Sequence, residues 1–185
     1  MNIHQMSVNY AERDDRLLLR VNTQDGQEFR MWLTRRMTGR LLPHLQACVV
    51  QIETCNLQVM VSDPTAQQML TALQRETFLE KADFKTPFAS EAPALPLGTD
   101  PILVTDVQLN VHTSGTLNVV FQDKIGQDTT GRSCQLALQA TLLHGLLHLL
   151  QQALQKANWR MEPPQAVKVS EALQPDKPVR PVYAH

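Results

Sequence analysis

Two histidines, His144 and His148, stand four residues apart, so on a helix their imidazoles share one face and can approach a single metal ion. A metal site needs at least a third ligand, and no further spacing supplies one. His44 comes near only if two helices pack antiparallel. The structural alternative makes both residues neutral polar groups at a helix–helix or subunit contact. A second constellation is cationic. Arg16, Arg20 and Arg30 fall on one face of two alternating segments, with Trp32 beside them. Such a face suits a phosphate backbone, with the indole as a stacking platform. The alternative is that Glu12 or Glu28 neutralises the arginines and Trp32 packs under another segment or a subunit. Cys48, Cys55 and Cys134 form no CxxC pair and have no adjacent base, so they read as small buried hydrophobes rather than nucleophiles. No glycine-rich phosphate loop, HExxH or GxSxG motif occurs, and no cofactor is expected.

These residues are carried by segments whose period identifies them. Residues 4–11 read as a weak strand. Leu17, Leu19 and Val21 alternate with Arg16, Leu18 and Arg20, and Phe29, Met31 and Leu33 alternate with Glu28, Arg30 and Trp32. A two-residue turn at Asp25-Gly26 would mix the two faces. A three-residue loop with Gly26 in the left-handed region pairs Val21 with Phe29 and Leu19 with Met31, which keeps the apolar set together. That register also sets Arg20 opposite Arg30 and Leu18 opposite Trp32. Like charges facing each other on a ladder are destabilising, so something must compensate.

Thr34 reads as the cap of a helix over about 35–54. Met37, Leu41, Leu45, Cys48, Val49 and Ile52 lie on its apolar side, and Arg36, Arg40, His44 and Gln51 on the other. Pro43 should kink it or split off its first turns. A short strand at 57–61 and a helix opening at Asp63-Pro64 and running to about Glu80 follow. After a stretch punctuated by Pro87, Pro93, Pro96 and Pro101 the pattern restarts. Strands near 103–112, 117–121 and 134–138 lead into a helix at 140–157.

The expected fold is therefore α+β: a tandem strand-strand-strand-helix repeat with antiparallel sheets, amphipathic Leu-rich helices and approximate internal two-fold symmetry. Residues 1–83 form the first half, with an extra helix near 64–80, and 84–101 a Pro-rich linker over the surface. Residues 102–160 form the second half and 161–185 a Pro-rich disordered tail. The outer face of the second half, with Asn118, Val120, Gln122, Gln135 and Ala137, is neutral, so an anion site would not be duplicated.

The helix at 140–157 has a broad leucine face, spanning about 160° of the wheel. Its other side holds His144, His148, Gln151, Gln152 and Gln155, and no charged residue occurs from Ser133 to Gln155. A solvated helix normally carries Lys and Glu. This polar side is expected to be covered by another helix, the linker or a second subunit, with Gln151, Gln152 and Gln155 as interface residues.

The chain has 185 residues, 43% hydrophobic and 19% charged, with a net charge of −1. That balance argues against a protein whose main task is to coat nucleic acid or an anionic membrane. The longest strongly apolar run, Leu142 to Leu150, falls short of the roughly 20 residues of a membrane span. Glu12, Arg13, Asp14 and Asp15 occupy the place where a secretory signal is apolar, so a cytoplasmic protein without membrane contact is expected.

Residues 16–36, RLLLRVNTQDGQEFRMWLTRR, resemble a family of uncharacterised proteobacterial proteins. The resemblance implies a bacterial origin and carries no activity or catalytic residue. The tandem sheet-then-helix outline is similar to the Whirly-type single-strand binders, whose net basic character this chain lacks. The resulting expectation is a non-catalytic binding or adaptor protein acting through protein–protein contacts, as a homodimer. The alternatives are single-stranded nucleic-acid binding through Arg16, Arg20, Arg30 and Trp32, and a metal-dependent enzyme at His144 and His148.

Overall fold

The structure, a computed structural model, describes residues 2–57, 64–83, 86–89, 94–124 and 131–159. The expected tail at 161–185 lies outside these residues. So does most of the expected strand at 57–61, whose first residue, Leu57, instead ends a helix.

Alternating residues make the first meander: β1 (Ile3–Ala11), β2 (Arg16–Thr23) and β3 (Glu28–Thr34), antiparallel in that order. Val21 pairs with Phe29 and Leu19 with Met31, the register that keeps apolar side chains on one face. Between β2 and β3 the Thr23 amide donates to the Gln27 carbonyl at 2.9 Å and closes a three-residue loop, 24–26, in which Gly26 takes φ +72°, the left-handed conformation that glycine adopts without a Cβ penalty. Thr34 then caps α1 (Arg35–Leu57): the Met37 amide donates to Thr34 Oγ1 at 3.2 Å. Of the kink or split expected at Pro43, the split does not occur: α1 runs as one helix. Pro43 cannot donate to the Gly39 carbonyl, but Leu41 and Leu45 on either side of it are buried, and their packing holds the helix together.

After α2 (Pro64–Lys81) the chain returns to the first sheet. The two residues of β4 (Ile102–Leu103) pair parallel with β3, which corrects the expectation of wholly antiparallel sheets. A strand arriving from a distant segment is not bound to the direction a hairpin imposes. The second sheet is an antiparallel meander of β5 (Asp106–Val111), β6 (Thr116–Gln122) and β7 (Ser133–Gln139), followed directly by α3 (Ala140–Ala157).

The fold is thus mixed α+β, with two mostly antiparallel sheets and three helices among the described residues. Leu17, Leu19 and Met31 from the first sheet are fully buried in one apolar core with Leu117, Phe121 and Leu136 from the second. The helices reach across the halves. Helix α3 packs along β1, the edge of the first sheet, and α1 packs on β5 and β6 as well as β3. At the end of α3, Trp159 Nε1 donates to Asp15 Oδ1 at 2.9 Å, and Tyr10 donates to the same oxygen while its ring meets the indole edge-on. These bonds hold the Asp15 carboxyl below its ordinary range and tie α3 to the β1–β2 turn.

Candidate functional site

The outer face of the first sheet carries the expected cationic cluster. Arg20 stands opposite Arg30 and Leu18 opposite Trp32, while Arg16 pairs with Thr34 at the end of the row. Between the first two, Glu28 Oε1 accepts from Arg20 Nε at 2.7 Å and from Arg30 Nε at 2.8 Å. The Glu28 side chain is wholly buried, and its Oε2 has no hydrogen-bond partner among the described residues. Burial pushes its carboxyl upward, but the two guanidinium bonds outweigh this and hold it below the usual range. Glu28, not Glu12, is the compensating charge.

Described residues of the Pro-rich segment reach this face. The Phe88 ring lies 4.3 Å from the Arg20 guanidinium carbon, the Asn22 side chain donates to the Ala89 carbonyl at 2.7 Å, and the Glu28 amide donates to the Ala94 carbonyl at 2.9 Å. Arg132, the residue before β7, donates to the Leu97 carbonyl at 2.9 Å. Trp32 is half-buried and pairs with Leu103 of β4. Arg20 and Arg30 retain 16% and 29% side-chain exposure. Their chemistry, two guanidiniums around one carboxylate beneath a cation–π lid, fastens a strap to a sheet.

The two histidines are parted by their environments. His144, placed by its period on the polar side of the helix, is buried, because that side of α3 faces α1 and α2. Its Nε2 lies 2.5 Å from Glu53 Oε1 of α1, and its ring stacks on Phe78 of α2 at 6.1 Å between centroids. His148 lies one turn on, half-buried, with Nε2 2.9 Å from Gln152 Nε2. Burial and the Arg75 charge hold His148 below its ordinary pKa. His44 is exposed on α1, beside Asp106 and Val107 of β5 rather than near the pair. No group of three His, Cys, Asp or Glu side chains among the described residues is disposed to hold a metal ion. The partner that spacing could not supply is Glu53. It is the sole acidic residue of α1 and follows the apolar Ile52, a signal visible in the sequence.

Around this buried pair the three helices leave a pocket of about 230 Å³. Val49 and Val50 of α1 and Leu147 of α3 form its apolar wall, and Arg75 of α2 and Gln151 of α3 meet at its rim, with Arg75 Nη2 donating to Gln151 Oε1 at 2.6 Å. Gln151 is therefore half-buried inside the chain, while Gln152 and Gln155 are exposed. The outer side of α2 presents Met69 and Leu73, 70% and 61% exposed, the exposed large hydrophobic residues among those described. The thiols of Cys48 and Cys134 are free, and burial pushes Cys134 up to about 12, which leaves it without thiolate chemistry near neutral pH. No helix is long and apolar enough to cross a membrane among the described residues. No protein-family model, no curated protein and no solved structure matches the chain.

Proposed function

We propose that the chain is a non-catalytic binding protein working through protein–protein contacts in the cytoplasm, and that the partner docked on α2 is a second copy of itself. The observation that carries this reading is the pair Met69 and Leu73, exposed one helical turn apart on α2. Arg75 and Gln151 join α2 to α3, whose exposed Gln152 and Gln155 belong to the charge-free stretch. A two-fold contact sets a surface against itself; the exposed Glu76 and Glu80 continue the same side of α2, and an antiparallel contact centred on Met69 and Leu73 keeps each glutamate away from its own copy. Sedimentation tests it: the protein should be dimeric at about 10 μM, and Met69→Glu/Leu73→Glu should be monomeric and folded, losing only the stability that association contributes, since neither side chain is buried within the chain. A wild-type monomer at that concentration overturns self-docking.

The same reading takes the two halves as copies of one strand-strand-strand-helix unit, related by approximate two-fold symmetry. The offset of 105 residues that carries Glu28 onto Ser133 also carries Thr34 onto Gln139 and Arg35 onto Ala140, the bounds of β7 and the start of α3. The pairing of Leu17 with Leu33 has its counterpart in that of Leu117 with Leu138, where the first strand is offset by 100 residues and the second by 105 because the second half has a longer loop. These coincidences support a duplication, as does the way α1 and α3 each reach the other half's sheet.

A further inference from the structure

The pocket between α1, α2 and α3 combines an apolar wall with a cation that has no counter-ion among the described residues. Arg75 is half-buried, and among the described residues no carboxylate lies within ion-pair distance of it. Glu53, the nearby buried acid, is committed to His144. A guanidinium partly withdrawn from water without an anion is unfavourable, and a ligand that supplies the anion removes that cost. Arg75 spends one nitrogen on Gln151, which orients the planar fork at the pocket's rim and leaves further N–H groups for a carboxylate. Away from this rim Gln46, Thr71 and His144 also line the pocket, but Val49, Val50 and Leu147 form a continuous aliphatic side that buries an aliphatic group.

We infer that this pocket binds a small monocarboxylate with an aliphatic tail, its carboxylate on Arg75 and its tail against the valines and Leu147. At about 30 Å³ for each water-sized group, 230 Å³ holds about eight non-hydrogen atoms, which is the size of hexanoate. The site lies within one chain and stands apart from self-docking through Met69 and Leu73.

The test uses the full chain with hexanoate and, as the uncharged control, 1-hexanol, read by thermal unfolding and titration calorimetry. Hexanoate at ten times its dissociation constant should raise the melting temperature by about 4 °C, and 1-hexanol should do markedly less. Arg75→Gln should weaken hexanoate binding about tenfold or more, and Arg75→Lys should retain part of it. Because Arg75 is only half-buried, the melting temperature of each unliganded variant establishes that it is folded before binding is compared. Equal stabilisation by 1-hexanol would identify an apolar cavity without an anion site. Unchanged hexanoate affinity in Arg75→Gln, or no response to hexanoate up to about 10 mM, would overturn the inference as well. None of these readings depends on oligomeric state, which sedimentation follows separately.

Discussion

The two sheets bury similar rows of Leu, Val and Phe yet present opposite outer faces. On β7 the outward residues, Ser133, Gln135, Ala137 and Gln139, are all exposed, and nothing charged needs an answer. On β2 the outward Arg16, Leu18 and Arg20 are all part-buried. A neutral polar sheet face satisfies itself in water. A face with two opposed arginines requires a carboxylate between them; burial disfavours that charge, and the two guanidinium bonds, strengthened where Phe88 excludes water, outweigh the cost. The difference shows that the strap belongs to the charge pattern of the first sheet as much as to the connection between halves.

The comparison can be broken most forcefully at Glu28. Glu28→Ala leaves Arg20 and Arg30 face to face beneath the strap, and should cost about 3 kcal/mol in chemical denaturation. Gln135→Ala on the other sheet should stay within about 0.5 kcal/mol. Equal losses would remove the distinction between the faces. Trp159→Phe keeps an aromatic ring but deletes the N–H donor to Asp15 together with part of the buried indole, and should cost about 1–2 kcal/mol while loosening α3 from the β1–β2 turn, seen as faster amide exchange at the end of α3. Phe88→Ala removes the ring over Arg20 and should cost about 0.5–1 kcal/mol, with increased proteolysis of the strap.

Acid titration sharpens the same contrast. The folded Glu28 carboxyl sits below its ordinary value of 4.5, so the unfolded chain takes up that proton first as pH falls. Its contribution is complete above that value and is lost as pH drops through the lower, folded one. Glu28→Gln should flatten this acid limb, whereas substitutions on the neutral face should leave it unchanged. The smallest effect belongs to His148. Its folded pKa is depressed below 6.5, so acidification through the interval between the two values lowers stability slightly. His148→Gln should abolish that step, and Arg75→Gln should raise the histidine's titration midpoint by NMR.

Features decided within a few residues were legible in the chain itself. The loop around Gly26, the register of β2 on β3, the Thr34 cap and the apolar side of α1 all follow from turn chemistry and a repeating period. Each involves neighbours whose separation the backbone dictates. The opposition of Arg20 to Arg30 could be read for the same reason, and so could the need for a compensating carboxylate, although two glutamates were available and only packing selected Glu28. Tertiary structure decided what lies across from each face. It set Glu53 against His144, parted that histidine from His148, kept α1 whole through Pro43, ran β4 parallel to β3 and brought Arg75 to the rim of a three-helix pocket. A helical period reports which residues share a side. It carries no information about whether water, a helix or another segment meets that side, because that contact is made by residues far along the chain and is settled by how the whole core closes.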